Sequence, residues 1–200
     1  MSVAKEPFTA RLDPDAEPRA VDLHELAFGL EDTLLRDQRV GEEPLERFSL
    51  LDCRIERCDL AGLQAHAASW VRVVVTGSRL TGADLAGARL QDVAFRDCRM
   101  DLASFAGARM ERVSFERCDL RESDLGEARL HDVRLAGCDL TSAYLADASC
   151  SRTELRDGTY EDLRGLAGLK GCSLAWPDLM ALAPALAAQA GMRVITDEDA

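Results

Sequence analysis

Aromatic and basic residues are scarce in this chain of 200 residues. It contains 2 tryptophans, 2 tyrosines and 6 phenylalanines, so a large aromatic core is not expected. Lysine and arginine number 24 against 36 aspartates and glutamates, which gives a formal net charge of −12. Direct binding of nucleic acid depends on basic surfaces, so this charge argues against it. It leaves room for a basic partner, or for a partner that normally holds nucleic acid.

Long hydrophobic segments are also missing. No apolar run approaches the ~18 residues of a membrane-spanning helix. The first residues, MSVAKEPFTARLDPDAEPRA, lack the apolar segment of a secretion signal. We therefore expect a cytoplasmic protein with no membrane partner. Its 7 cysteines are an odd number, and in a reducing compartment they are expected to remain free thiols.

The residue types that build catalytic sites are few and scattered. The 3 histidines are His24, His66 and His131, and no serine or cysteine nucleophile is placed with a histidine and an acid. No glycine-rich phosphate loop is present. The sequence therefore predicts a protein that is not an enzyme and that carries no cofactor.

What the sequence does contain is an apolar residue at every fifth position. Leu120, Leu125 and Leu130 illustrate a period that matches neither the 3.6 residues of a helix nor the 2 residues of a strand. The pattern runs without a break over residues 41–160, which is 120/5 = 24 units. Such repetition is typical of a stacked array, in which each unit buries its face on its neighbours.

We call the large apolar residue of each unit its centre. The residue two positions before the centre is usually small, as Ala103, Ala108 and Cys118 show. In a short extended segment these two side chains point to the same side, so both are predicted to face inward while the other three face water. The predicted core includes Leu85, Phe95, Phe105, Phe115, Leu125 and Leu135.

The small positions add a slower period of twenty residues. Cys98, Cys118 and Cys138 are spaced in this way, so four units complete one circuit. Like residues then stack at the ~4.8 Å spacing of hydrogen-bonded strands, in a square solenoid of about six coils. The three cysteines form a line, whereas a metal needs converging tetrahedral ligands, so we interpret them as buried packing residues and predict no metal site.

The repeated unit resembles that of the pentapeptide repeat family over about 120 of the 200 residues. The family's aspartate just before the centre is present at Asp59, Asp84, Asp119, Asp124 and Asp139. Arginine replaces it at Arg79, Arg89, Arg99, Arg109, Arg129 and Arg134. The resemblance implies an all-β solenoid, a right-handed quadrilateral β-helix. Because the frame has no insertions, the chain is similar to the unlooped MfpA type rather than to the looped Qnr proteins.

The frame also gives two local expectations. Glycines two residues after the centre, such as Gly62, Gly82 and Gly107, suit corners that need a positive φ. The repeat pattern is least clear over residues 61–79. Ala65 is small for a centre, and in WVRVVV apolar residues occupy outward as well as inward positions. We expect irregular coils there.

We assign residues 41–162 to the β-helix and residues 163–200 to a C-terminal cap with a helical segment, since a solenoid must cover its last coil. Pro177 suits a helix start, and Pro184 is expected to divide the segment into two short helices. The resemblance implies that this segment also joins two copies into a homodimer. The predicted cap and dimerisation residues are Trp176, Leu179, Met180, Leu182 and Leu186.

Residues 1–40 precede the repeats and are expected to be partly disordered. Four leucines in this segment have helical spacing, so a short helix over the first coil is one interpretation and an irregular extra coil is the other. These leucines are Leu23, Leu26, Leu30 and Leu34.

Surface charge is the most direct indication of function. On the side centred on Leu85 and Leu125, the outward positions carry acids and no lysine or arginine. The predicted partner-binding acids are Asp84, Asp124, Glu127 and Asp147. The next side stacks Arg89, Arg109 and Arg129. It also has an alternating column whose members are expected to pair between coils, formed by Asp92, Arg112, Asp132 and Arg152.

The family resemblance implies a function for the acidic side. Qnr and MfpA-type members resemble DNA in shape and charge and bind type II topoisomerases. The chain is therefore predicted to be a non-catalytic DNA mimic that binds DNA gyrase or topoisomerase IV and modulates it or protects it from inhibitors such as quinolones. The alternative is a rigid interaction scaffold for another partner, because DNA mimicry does not need the arginine stripes.

Overall fold

The computed structural model describes residues 29–39 and 48–192, which form a parallel β-solenoid of about seven turns with one C-terminal helix. Its strands belong to one continuous sheet that winds around the molecule. The strands are β1 (Leu30–Glu31), β2 (Leu34–Arg36), β3 (Ser49–Leu51), β4 (Arg54–Glu56), β5 (Ser69–Thr76), β6 (Arg89–Arg96), β7 (Arg109–Glu116), β8 (Arg129–Ala136), β9 (Ser149–Ser151), β10 (Thr153–Arg156) and β11 (Cys172–Leu174).

Successive turns lie twenty residues apart. Phe95 of β6 pairs with Phe115 of β7, which pairs in turn with Leu135 of β8. Two sides of each turn carry these strands, and the other two are held by isolated bridges in the same register, such as Asp84 with Ser104. The four-unit turn and the quadrilateral β-helix expected from the sequence are confirmed.

The centres and the small residues before them fill the core. All six residues predicted for the core are buried. Phe95 and Phe115 stack with ring centroids 5.0 Å apart, and Phe105 meets Phe115 edge-on at 5.9 Å. Aromatic pairs of this kind contribute about 0.5–1.5 kcal/mol beyond the area that they bury. Four aromatic residues, Trp70, Phe95, Phe105 and Phe115, therefore lie together in the middle turns.

A left-handed backbone turns the chain at each corner. The residue two positions after the centre has a positive φ in every unit with a centre from 50 to 160. Gly62 and Gly107, with φ of 68° and 65°, follow the prediction. Arg112 and Leu102 adopt the same conformation, with φ of 55° and 60°. This conformation costs a non-glycine residue about 1–2 kcal/mol, so the hydrogen bonds between turns must offset it repeatedly.

Residues 61–79 are regular, so the expectation of irregular coils there was wrong. The strand β5 runs unbroken through this region, and the centre Ala65 is fully buried. The large side chain of the unit is Leu63, two positions earlier, which is also buried. Exchanging the large and small positions keeps the total core volume, and cores tolerate such exchanges.

The solenoid begins before residue 41. Leu30 and Leu34 lie in β1 and β2, which pair with β3 and β4 of the next turn. The helix suggested by leucine spacing is therefore wrong at these two positions, and the alternative of an extra coil holds over residues 29–39. Parallel pairing to the next turn outweighs the helical spacing, because it satisfies the backbone groups of an otherwise open edge. Leu23, Leu26 and the rest of residues 1–28 lie outside the described residues.

The last turn is covered by a 3₁₀ turn (Leu166–Leu169), by β11 and by the helix α1 (Trp176–Gln189). Glycine permits the close approach of this cap. A Cβ at Gly165 would lie 2.2 Å from the backbone nitrogen of Ala146, and one at Gly168 would lie 2.0 Å from the carbonyl oxygen of Leu145. The cap can therefore seat directly on the backbone of the preceding turn.

The helix α1 is a single helix, so the prediction of two short helices was wrong. Pro184 lies inside it with an exposed side chain. A proline removes one helical hydrogen bond and crowds the preceding turn, but on an exposed face water can solvate the carbonyl that loses its donor. Leu182 is only 1% exposed and packs against the core, which holds the helix together across the proline.

The buried carboxylate of Asp178 ties α1 to the last turn. It accepts hydrogen bonds from the backbone N–H groups of Asp157 (3.0 Å) and Gly158 (2.8 Å) and from the hydroxyl of Tyr160 (2.9 Å). Burial and this carboxylate raise the pKa of the Tyr160 hydroxyl. One turn earlier, the equivalent N–H group of Gly137 donates to the backbone carbonyl oxygen of Arg156 in the next coil. Asp178 therefore replaces the coil that is missing at the end.

Candidate partner-binding surfaces

We number the four sides of the solenoid by their centres. The first to fourth sides contain Leu85, Leu90, Phe95 and Met100, respectively, together with the residues at twenty-residue intervals from each. Outward side chains on one side form columns that run along the axis, one residue per turn. Any surface that a partner contacts is built from these columns.

The first side holds its two aspartates in fixed positions. Asp84 and Asp124 lie in one column, separated by Ser104 of the turn between them. Each carboxylate accepts a hydrogen bond from the backbone N–H group two residues later, at Ala86 (2.9 Å) and Gly126 (2.8 Å). These bonds fix the carboxylates close to the backbone.

The four predicted acids do not form one cluster. Glu127 and Asp147 occupy the same corner on adjacent turns, with positive φ of 57° and 59°. Asp124 lies on the same turn as Glu127. Asp84 stands two turns away, with its carboxylate 3.8 Å from the ring nitrogen Nδ1 of His66. The acidic part of the first side is therefore concentrated in its C-terminal half.

Sequence reasoning missed further acids on the neighbouring corner. Glu122 and Asp162 lie two turns apart on the corner between the fourth and first sides, with Ser142 between them. Together with Arg164 and Ala185 of α1 they line an open groove of about 670 Å³. Within the described residues neither Glu122 nor Asp162 forms an ion pair. The sequence does contain a signal for them, because a spacing of forty residues is two turns and places Glu122 and Asp162 in the same corner column.

The second side combines paired and unpaired charge. Its corner column pairs between turns as predicted: Arg112 donates two hydrogen bonds to Asp92 (2.5 and 3.0 Å), and Arg152 lies 3.7 Å from Asp132. The adjacent column stacks Arg89, Arg109 and Arg129 in register. The second side therefore presents a basic stripe next to the acidic corner of the first side.

The third side neutralises its own charge. Arg117 donates two hydrogen bonds to Asp97 one turn earlier, and the guanidinium of Arg96 lies 3.3 Å from Glu116. The hydrogen bond from Arg117 holds the pKa of Asp97 below its usual value. Exposed pairs of this kind contribute little to stability, but they leave no net charge to attract a partner.

The helix α1 presents an apolar surface outward. Trp176 is 72% exposed and Met180, one helical turn later, is 55% exposed. Leu182 faces the core, whereas Leu179 and Leu186 are partly buried between the two. Of the five predicted cap residues, Leu182 and Leu186 pack against the core, Leu179 is partly buried, and two remain open to solvent. An exposed tryptophan beside a methionine is typical of an interaction surface.

The cysteines are placed for packing. Cys98, Cys118 and Cys138 are buried in one column on the fourth side. Each of the three thiols donates a hydrogen bond to a backbone carbonyl of the preceding turn, and burial raises the pKa of the Cys53 thiol to about 11. Thiols with such values stay protonated and react slowly. Over residues 29–39 and 48–192, no three histidine, cysteine or acidic side chains are grouped in a way that could hold a metal ion.

In the part of the chain that the structure describes, no helix has the length and apolar character required to cross a membrane.

Known proteins share this architecture. Two family models match the sequence, a pentapeptide repeat region over residues 48–125 and pentapeptide repeats in 8 copies over residues 123–158. Neither match indicates a catalytic family. No curated protein matches the sequence.

Solved structures with a similar fold come from several sources. Trypsin-treated QnrB1, a plasmid-mediated fluoroquinolone resistance protein, is 15% identical with a TM-score of 0.35, over 82% of this chain and 99% of that one. A pentapeptide repeat protein of the Arabidopsis thaliana thylakoid lumen is 28% identical with a TM-score of 0.29, over 41% and 61% of the two chains. Rfr23 from the cyanobacterium Cyanothece 51142 is 13% identical with a TM-score of 0.34, over 70% and 92%. The five-residue frame, the twenty-residue turns and the two family matches agree, and the chain belongs to the pentapeptide repeat family.

Proposed function

We propose that this protein is a non-catalytic binding protein that places its acidic surface in the DNA-binding groove of a type II topoisomerase, DNA gyrase or topoisomerase IV. There it modulates the enzyme or protects it from inhibitors such as quinolones. The observation that carries the proposal is the acidic band at the C-terminal half of the solenoid. None of its members forms an ion pair with another described residue. The band comprises Glu122, Asp124, Glu127, Asp147 and Asp162.

Rigidity supports this use of the band. The acids lie on successive turns of one hydrogen-bonded sheet, and the Asp124 carboxylate is fixed by the N–H group of Gly126. A basic groove that normally holds DNA attracts a surface of negative potential, and a fixed array loses little conformational freedom on binding. A topoisomerase partner also implies that the protein acts in the cytoplasm.

The exposed face of α1 supports a homodimer. Trp176 and Met180 form an apolar stripe on the last element of the rod, and a second copy could cover it. Ala185 lines the same groove as Glu122 and Asp162, so the acidic band reaches α1 on the face about 180° from Trp176. A dimer joined through Trp176 and Met180 would carry one acidic band on each copy and leave both bands open to a partner.

A gyrase supercoiling assay, run with increasing protein and with or without a quinolone, tests the proposal. Inhibition of supercoiling, or rescue from the quinolone, is expected for the native chain. Both are expected to be lost in the variant that combines Asp84→Asn, Asp124→Asn, Glu127→Gln and Asp147→Asn. A second variant, Glu122→Gln with Asp162→Asn, tests the part of the band that lies nearest to α1.

The control removes acidic charge from the opposite end of the rod. Glu31 and Asp32 are exposed on the first described turn, so Glu31→Gln with Asp32→Asn reduces the net charge without touching the band. This control should retain the native effect. Equal loss in the control would mean that net charge alone matters, and that result would contradict a specific acidic surface.

The rigid scaffold remains the second candidate function. Its support is the basic stripe of Arg89, Arg109 and Arg129, which lies beside the acidic corner and has no use in a DNA mimic. If native protein in large molar excess changes neither supercoiling nor quinolone action on gyrases from several bacteria, the topoisomerase proposal fails. The next measurement is then a pull-down with the native chain as bait and the acidic-band variants as controls.

A further inference from the structure

Three arginines of the second side form a straight column. Arg89, Arg109 and Arg129 occupy the same position on three successive turns, paired in register through β6, β7 and β8. Neighbouring strands of a sheet lie about 4.8 Å apart, so the column spans about 10 Å along the axis. All three residues are exposed. Three cations at this spacing form a dense stripe of positive charge on an acidic protein.

The column has no internal counterion. Arg89 donates a hydrogen bond to the side-chain oxygen of Gln91 (2.9 Å), a neutral group, and among the described residues none of the three arginines forms an ion pair. The other stacked arginines differ, since Arg79 lies 3.8 Å from Asp59 and Arg99 lies 4.0 Å from Asp101. Like charges directly opposite each other destabilise a sheet, so the unpaired arginine column is unfavourable for the stability of the fold.

The arginines border a shallow groove of about 350 Å³, whose floor and far wall include Glu111 and His131. The Glu111 carboxylate is hydrogen-bonded to the guanidinium of Arg112, which also pairs with Asp92. The ring nitrogen Nε2 of His131 lies 2.7 Å from the guanidinium of Arg152. A guanidinium only donates, so Nε2 accepts this bond and the ring offers its Nδ1–H group as a donor. The charged residues that line the groove are three arginines and one glutamate, so the groove offers N–H donors and has a net positive charge.

We propose that this groove binds a short chain of condensed phosphates, two or three phosphate groups long, lying along the arginine column. Each guanidinium offers a planar pair of N–H donors that matches phosphate oxygens. Three condensed phosphate groups place at least three negative charges within the roughly 10 Å of the column, whereas an extended peptide places one side chain on the same face only about every 6.6 Å. The charge density of the column therefore fits a short phosphate chain better than an acidic peptide.

The surroundings limit the ligand to a short one. Glu127 and Asp147 lie on the corner before the column and form no ion pair with a described residue. Their carboxylates repel a polyanion that extends sideways from the groove across this corner. Single-stranded nucleic acid is usually held by base stacking on aromatic side chains. The exposed aromatic residues of the described chain, Tyr144 and Trp176, are on the first side and on the cap.

Isothermal titration of the native chain with inorganic tripolyphosphate, at low ionic strength, tests the proposal. Saturable binding is expected, weakened about tenfold or more by Arg109→Gln, because a charge-assisted bidentate contact is lost at the centre of the column. The matched control is Arg99→Gln, which makes the same change at the equivalent position of the fourth side and should alter the affinity less than about twofold. Thermal melting of each variant checks that the fold is intact.

Titration with ATP and with single phosphate identifies the source of the ligand. ATP bound as tightly as tripolyphosphate means that the phosphate chain alone is recognised, and tighter binding of ATP means that a nucleotide is the ligand; both support the proposal. Single phosphate bound as tightly as tripolyphosphate would overturn it, and so would tighter binding of an oligo-aspartate peptide. Absence of tripolyphosphate binding, or equal losses in Arg99→Gln and Arg109→Gln, would also refute it. These outcomes are independent of the gyrase assay.

Discussion

The middle turns of the solenoid and its C-terminal turns share one frame but fill it differently. In the middle, Trp70, Phe95, Phe105 and Phe115 are completely buried and contact one another. Towards the C-terminus the centres are leucines, and they enclose an apolar cavity of about 10 Å³, close to the minimum that holds one water molecule. The frame decides which side chains point inward, but it does not decide how completely they fill the space.

The two regions also depend on different contacts. Each middle turn is covered by an equivalent turn on both sides, whereas the last turn is covered by the cap, in which only β11 continues the parallel pairing. Its closure depends on the buried Asp178 and on the small Gly165 and Gly168. We therefore expect the middle to respond most to lost core volume and the end to respond most to lost polar contacts.

The largest expected effect is that of Phe115→Ala. The ring is fully buried between Phe95 and Leu135 in register, so its removal leaves a cavity and should reduce the free energy of unfolding by about 3–5 kcal/mol. Chemical denaturation measures this change. The comparison variant is Leu135→Ala one turn later, which should cost less, about 2–3 kcal/mol, because its surroundings are already loosely filled. An equal or larger loss at Leu135 would contradict the difference between the regions.

An intermediate effect is expected from Asp178→Ala. The change leaves two partly buried N–H groups and the buried Tyr160 hydroxyl without their acceptor, which should cost about 1–3 kcal/mol. Hydrogen exchange should accelerate at Asp157 and Gly158 and remain slow in the middle strand β7. The variant Asp178→Asn keeps one acceptor oxygen and should lose less. Unchanged exchange at the two amides in Asp178→Ala would show that the cap is held by other contacts.

The smallest expected effect is a gain in stability from Leu135→Phe. The added ring would extend the Phe95–Phe115 stack by one turn and occupy the cavity that Leu135 lines, so a gain of about 0.5–1 kcal/mol is expected. The control is Leu90→Phe in the middle region, which lines no part of this cavity and should lose about 1–3 kcal/mol through overpacking. Thermal melting of both variants compares the regions directly. Destabilisation by both substitutions would mean that the C-terminal core is as full as the middle.

The sequence predicted the repeating part of the molecule well. The spacing of five and twenty residues predicts Phe95 above Phe115 and Asp92 beside Arg112, and both pairs are found. The prediction succeeded because equivalent residues have the same backbone conformation in every turn. Whether a side chain faces the core or the solvent therefore follows from its position in the five-residue unit. One unit of the repeat differs, because its large buried residue is Leu63 and its centre is the small Ala65. The core volume of a unit therefore depends on both inward-facing residues and not on the centre alone.

The candidate surfaces were predicted only in part. The sequence identified the acids of the first side and the arginines of the second, because each set lies in one column. It missed the grouping of Glu122 and Asp162 with α1, since that groove joins a corner of the solenoid to a segment outside the frame. It also missed that Asp84 stands apart from the other acids, beside His66.

The sequence by itself determined the fold, the turn length, the core and the columns of surface charge. Because the period is strict, every turn has the same backbone path. The position of a residue in the repeat therefore predicts its direction and its neighbours in the adjacent turns. Only the tertiary structure decided how the ends close and which columns meet. Leu30 and Leu34 joined strands rather than a helix, α1 continued through Pro184, and Asp178 took the place of a missing coil. Those outcomes depend on contacts between segments that do not repeat, and no local period carries that information.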